Sequence, residues 1–273
     1  MAKSNGKRFS YLLNSEILRD FKITLGTSIG LMIINIIWFI YESNKYIDSG
    51  ALENLAENGM NGTILGFSEF YASKVGTQVV VTLILLGCFC LYCCYLWFGE
   101  FWGENKSSYT LLNLPISEKL IVLYKFLAAL FFYVALVFFQ LVAIVVNKFI
   151  FYTMFPKELV LKESLREVII NTQFILGHII PRDYTYGILV FISIFALILV
   201  VFLFSLLERS FGILGGILGA LIGGSLIFIY AIAPSILILY ESERFLWMIG
   251  TSIIYIIVGW FGSTYLLKNK VHV

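Results

Sequence analysis

Six stretches of the chain are free of charge and long enough to cross a bilayer: residues 23–41, 75–98, 126–147, 184–207, 212–239 and 245–267. A hydrocarbon core about 30 Å thick takes about 20 residues of helix at a rise of 1.5 Å each. Each stretch stops at charge, as at Lys22 and Glu42, or Arg244 and Lys268. Because backbone polar groups in lipid must be satisfied within the segment, the pattern predicts an all-α polytopic membrane protein. Its six transmembrane helices occupy 23–267, with a tail over 268–273.

Polar segments between these stretches have their own periodicity. In "RFSYLLNSEILRDFK" (8–22), Phe9, Leu12, Leu13, Ile17 and Phe21 share a helical face, with Arg8, Ser15, Arg19 and Lys22 largely off it. Residues 1–22 therefore read as an amphipathic interfacial helix, either a plain anchor or a docking element, with cations suited to anionic lipid. Of the two long external loops, 42–74 is glycine-rich and reads as irregular with short helical pieces. In 148–183, Leu161, Leu165, Val168 and Ile169 oppose Glu158, Lys162, Glu163 and Arg166, predicting an external interfacial helix that starts at Pro156. The fifth stretch is too long for one straight span and contains Pro234. It is expected to break near Ala233-Pro234, with a short segment continuing outside.

Composition agrees with the pattern: 60% of residues are hydrophobic, 13% are charged and the mean hydropathy is +0.91, far from the balance of a soluble domain. Charge adds orientation. Six spans put both termini on one side, which collects eleven of the nineteen Lys and Arg residues. Five of the other eight lie in the single loop 148–183, where the positive-inside rule counts least. Both termini are expected in the cytoplasm. No short apolar core precedes a small-residue cleavage site in the first 22 residues, so the first span is expected to stay in the mature chain.

The six stretches hold no Asp, Glu, Lys, Arg or His, and the two histidines, His178 and His272, fall outside them. That pattern argues against ion-coupled transport and intramembrane catalysis, which need such groups within the bilayer. Cys88, Cys90, Cys93 and Cys94 surround one helix and do not converge as a tetrathiolate metal site would, so no metal and no catalytic residue is assigned. They read as small core residues, or as an acylation site at Cys93 and Cys94. Asn35, Gln78, Tyr92, Gln140, Ser205, Tyr230 and Tyr255 either hydrogen-bond between helices or line a path. Glycine recurs at helical spacing in the fifth stretch, at Gly212, Gly215, Gly216, Gly219 and Gly223. That seam fits packing within one subunit or across a dimer.

The connector 99–125 is the largest polar segment between spans on the side of the termini. Glu100 and Glu104 lie one helical turn apart on a continuation of the second span. Ser107-Ser108 interrupts it, Tyr109–Leu114 is apolar, and Pro115 with Ser117 restarts a helix. There is no G-x-x-x-x-G-K-[ST] loop to cradle phosphates, so energy for transport would come from a separate subunit. A solvated turn is the plainer reading.

The run Glu104…Leu111-Leu112-Asn113-Leu114-Pro115-Ile116-Ser117…Lys125 resembles the segment between spans two and three of type-2 ABC exporter permeases. The whole-chain plan is similar too, from the amphipathic first helix to the break after span five. Ser107-Ser108 stands where that family often has Gly-Thr, and Glu118-Lys119 where arginine is frequent. The resemblance implies a coupling segment docking on a separate ATP-binding subunit through Glu100, Glu104, Tyr109, Leu112, Leu114 and Pro115. It implies ATP and Mg in that subunit, none bound by this chain, and a second permease copy or paralogue as partner. It also implies outward movement of an apolar or amphiphilic cargo across a bacterial cytoplasmic membrane, along a path with Gln78, Tyr92 and Tyr230 as candidate lining. No nucleic-acid partner is expected. The alternatives are a sensor, immunity or scaffold protein in the membrane, and an enzyme with a site near His178, Arg182 and Asp183.

Overall fold

The computed structural model describes residues 2–50, 65–101, 117–157, 159–165, 167–168, 184–237 and 239–269. In chain order these form α1 (Ala2–Asp48), β1 (Leu65–Gly66), α2 (Phe67–Ser73), α3 (Val75–Phe101), α4 (Glu118–Met154), β2 (Val160–Leu161) and α5 (Tyr184–Phe211). Then come α6 (Ile213–Ile227), a π-helical turn (Phe228–Ile232), α7 (Ala233–Ile236) and α8 (Glu241–Asn269). Among the described residues six helices are long and apolar enough to cross a membrane: Phe9–Asp48, Gln78–Gly99, Glu118–Met154, Gly187–Phe211, Ile213–Tyr230 and Ser242–Asn269. Their outward residues, among them Ile37, Leu83, Leu91, Phe138, Ile254 and Phe261, are exposed apolar side chains suited to lipid.

Three sequence expectations meet a different or sharper local structure. Residues 8–22 are not a separate element but early turns of the unbroken 47-residue α1. The helix expected from Pro156 is absent there. Val160 and Leu161 instead pair in parallel with Leu65 and Gly66, and helix begins at Leu165. The local reason is a reciprocal cap: the Ser164 N–H donates to Glu167 Oε2 at 2.6 Å, and the Glu167 N–H donates to Ser164 Oγ at 3.2 Å. The fifth stretch is α6, then the π turn, then α7, which starts at Ala233 with Pro234 in its first turn, where proline's missing N–H costs least.

The chain forms two compact units, each taken by itself. The first comprises Met1–Asp20, Cys88–Phe132 and Ile188–Val273. Its central helix is α5, approached by glycines on both neighbours. Gly219 of α6 lies so close to Phe204 that a Cβ there would meet its ring at 2.5 Å, and Gly215 abuts the Leu207 carbonyl. On α8, a Cβ at Gly259 would meet Leu199 at 2.7 Å and one at Gly262 would meet Leu203 at 2.8 Å. Small residues at such seams let backbones approach, which is how helices gain contact in lipid. Gly212 alone connects α5 to α6, and its φ of 61° is a left-handed conformation that favours glycine.

The second unit comprises Phe21–Gly87 and Tyr133–Gly187. Its core is aromatic: Phe39, Phe67, Phe70, Tyr71, Phe151 and Phe155 are all buried. Ring pairs such as Phe67–Phe151 (5.5 Å, 73°) and Phe70–Phe155 (5.4 Å, 62°) take the edge-on geometry that aromatic quadrupoles favour. Gly66 at the N-cap of α2 has no side chain to cap it. Glu163 does so from the other loop, accepting the Ser68 N–H at 2.8 Å and the Ser68 hydroxyl at 2.5 Å.

Candidate functional site: two buried polar clusters

The buried face of α1 is largely polar. Glu16, Asp20, Thr24, Ser28, Leu31, Asn35, Phe39 and Ser43 recur at three- or four-residue spacing and are all buried. Ile29, Ile33, Ile34 and Ile37 on the same helix are exposed. This inversion is a membrane helix's arrangement, with apolar side chains toward lipid and polar ones toward partners. The partners fall into one cluster in each unit.

In the first unit the centre is Lys125, fully buried near the start of α4. Ser117 precedes that helix, and its carbonyl accepts the N–H groups of Leu120 (2.9 Å) and Ile121 (3.3 Å). The Lys125 ammonium donates to the Leu96 carbonyl of α3 at 2.5 Å and to Glu16 Oε1 of α1 at 3.2 Å. It also stands 4.9 Å from the centre of the Trp97 ring, within cation–π range. Arg19 bridges Glu16 at 2.8 Å and Asp20 at 2.9 Å, and the Tyr92 hydroxyl donates to Asp20 at 3.3 Å. Among the described residues the buried carboxylates of Glu16 and Asp20 thus meet the buried Lys125 and the exposed Arg19, and such pairing is a condition for holding a carboxylate out of water. One ammonium joins three helices, α1, α3 and α4, and the last two flank the connector.

In the second unit the hub is Asn35, buried on α1. Its amide nitrogen donates to Gln140 Oε1 at 2.8 Å, and its amide oxygen accepts from Asn147 Nδ2 at 3.0 Å. Burial pushes the nearby Tyr71 phenol up to about 12, against a smaller lowering from Asn35, so Tyr71 stays neutral. Gln78 donates to the Tyr71 carbonyl. A cavity of about 20 Å³ lies here, lined by Asn35, Trp38, Glu42, Tyr71, Lys74 and Gln78, among others. Beside it Lys74 pairs with Glu42 at 3.6 Å and stands over the Tyr46 and Phe70 rings.

Of the residues proposed for coupling, Glu100 is in the last turn of α3. Glu104, Tyr109, Leu112, Leu114 and Pro115 lie outside the described residues. Within the glycine series, Gly215 and Gly219 pack on α5 of the same chain, Gly216 makes ordinary contact with Glu208, and a Cβ at Gly223 would meet nothing within 4 Å. Gly212 is the connection described above. Gln78 borders the cavity, whereas Tyr92 and Tyr230 each tie helices together. Tyr230 sits in the π turn, and its hydroxyl bonds Ser193 of α5 at 2.9 Å, Ser252 of α8 and the Met248 carbonyl at 3.0 Å. Tyr255 and Ser205, also named from the sequence, are bonded too, Tyr255 to Ser225 at 2.8 Å and Ser205 to the Val201 carbonyl at 3.0 Å. All four cysteines are free thiols.

The sequence places Glu16 and Asp20 within the amphipathic segment 8–22 and Lys125 at the end of the connector, without bringing them together. The signal was present in the four-residue recurrence Glu16, Asp20, Thr24, Ser28. Fold and clusters together describe a multi-pass α-helical membrane protein. No protein-family model matches the chain, nor does any curated protein or solved structure.

Proposed function

We propose that this chain is the transmembrane subunit of an ATP-driven exporter, working as a pair with a second copy or a paralogue. A separate subunit supplies ATP hydrolysis and docks on the connector through Glu104 and its neighbours. Both termini and the connector face the cytoplasm of a bacterial cell, and the cargo is apolar or amphiphilic. The observation that carries the reading is the Lys125 cluster. At the base of the connector its ammonium bonds both α3 and α1, so the helices on either side of the connector and the first helix are joined at one point. A push on the connector therefore moves three helices together, which is what transmission from a soluble motor to membrane helices requires. The exporter resemblance of the connector sequence supplies the identity of that motor.

The test is affinity purification of the tagged chain from native membranes in mild detergent, beside a Glu104→Arg version. A co-purifying soluble protein with a phosphate-binding loop, weakened by the charge reversal, is the expected result. Its absence under conditions that keep other complexes intact refutes the exporter reading.

A further inference from the structure

The π turn at Phe228–Ile232 sits between two sequence features that act on a helix in opposite ways. On its C-terminal side, Pro234 has no N–H to give the Tyr230 carbonyl four residues back, and in an ordinary α-helix its ring would crowd that carbonyl. The Ala233 N–H reaches instead to the Phe228 carbonyl, the five-residue bond of a π turn. The extra residue that such a turn carries is therefore blocked from moving past Pro234. On the N-terminal side stand Gly223 and Gly224, where a Cβ would meet nothing within 4 Å. Each glycine weakens an α-helix relative to alanine. The α-helical register is thus held least tightly just where the extra residue could go.

What holds the π turn in place lies on the neighbouring helices of the same unit. The Tyr230 hydroxyl bonds Ser193 of α5 at 2.9 Å, the Met248 carbonyl of α8 at 3.0 Å, and Ser252. The Trp247 indole N–H donates to the Ile229 carbonyl at 3.3 Å. Accommodating Pro234 requires none of these bonds, yet all of them depend on which way residues 229 and 230 face. A shift of one residue in register turns the affected segment by about 100° around the helix axis. Moving the extra residue back to Gly223–Gly224 would turn Tyr230 by that angle and carry its hydroxyl away from Ser193 and Met248. We propose that the π turn is a two-position hinge in the fifth span, latched by Tyr230 at Phe228–Ile232 and able to move to Gly223–Gly224 when the latch opens. The hinge does not depend on the exporter reading.

Electron–electron distances between two spin labels read the movement. Phe228→Cys and Tyr265→Cys, both at exposed positions, carry the labels in the full chain in lipid nanodiscs, with the four native cysteines replaced by alanine. A side chain about 5 Å from the helix axis moves about 8 Å in a 100° turn, so the two positions give separate distances. The expected result is one dominant distance in this background and a second, discrete one on adding Tyr230→Phe. Adding Gly223→Ala and Gly224→Ala should then restore the first. A control pair, Ile217→Cys with Tyr265→Cys, should keep one distance throughout. An unchanged distance in a folded Tyr230→Phe protein overturns the hinge. So does a control pair that moves as well, or a broad spread that the two alanines leave unaltered, which is the mark of loosening without a second position. If Tyr230→Phe does not fold, Ser193→Ala removes one partner of the same hydroxyl and is read by the same criteria.

Discussion

Lys125→Met removes the ammonium that joins three helices while keeping an unbranched apolar stem over Trp97. Two charge-assisted bonds go with it, to Leu96 and Glu16, and each such bond contributes about 1.5–3 kcal/mol. Breaking a buried ion pair from one side costs about 3–5 kcal/mol, chiefly through the charge left behind. Here Glu16 keeps Arg19 at 2.8 Å, so the loss belongs at the low end, about 3 kcal/mol. Glu16→Gln alone leaves Lys125 its carbonyl partner and should cost less. In the double variant the two losses overlap, giving a coupling energy of about 1–2 kcal/mol, within the range for residues in one network. The assay is unfolding of the purified chain in mixed micelles, with all four members of the cycle measured together. On the scaling for large domains, 3 kcal/mol corresponds to a melting shift of about 6–12 °C. A Lys125→Met protein that melts with the wild type, or a coupling below about 0.5 kcal/mol, refutes the account of Lys125 as the joint.

Two further substitutions probe the packing and a loop. Gly215→Ala drives a methyl into the Leu207 carbonyl and should destabilise by about 1–3 kcal/mol, while Gly223→Ala meets nothing and should be neutral or gain up to about 1 kcal/mol. Equal melting temperatures for the two would show that the α5–α6 seam is not close-packed. Glu167 is held below its ordinary pKa first by the Ser164 N–H and then by the Ser164 hydroxyl. A depressed carboxylate stabilises fully above its unfolded pKa and loses that contribution as pH falls through the folded value. Amide exchange at Leu165–Val168 should therefore rise as pH drops below about 4.5, after correction for intrinsic rates, and Ser164→Ala should raise it already at pH 7. Protection independent of both changes would refute the capping box.

Much of this architecture is readable from sequence because lipid imposes a simple rule on helix length and hydropathy. The start of α4 after Ser117 is readable too, since a helix start is set within a few residues, whereas the break expected at Ala233-Pro234 is instead a π turn just before it, with helix continuing to Ile236. What the sequence hid is long-range. Lys125 looks like the edge of a span until Glu16, 109 residues earlier, is known to meet it. Pro156 signals a helix start as strongly as Ser164 does, and pairing of Val160 with the distant Leu65 decides between them. The helical faces of α1 were drawn from its hydrophobes, and in a membrane the buried face can be the polar one. The glycines of α8 passed unnoticed because Gly259 and Gly262 are three apart, outside the four-residue spacing that marked α6.

The partners of α1 also set a clock for its assembly. Asn35 finds Gln140 and Asn147 at separations of 105 and 112 residues, and Glu16 finds Lys125 at 109. At a synthesis rate of about 5–20 residues per second, α1 exists for about 5–20 s before α4 can meet it. During that interval its carboxylates and amides must rest against water, lipid headgroups or the insertion machinery. A ribosome stalled before α4 therefore leaves a helix that is apolar enough to enter the membrane and too polar to be content there, a natural mark for quality control.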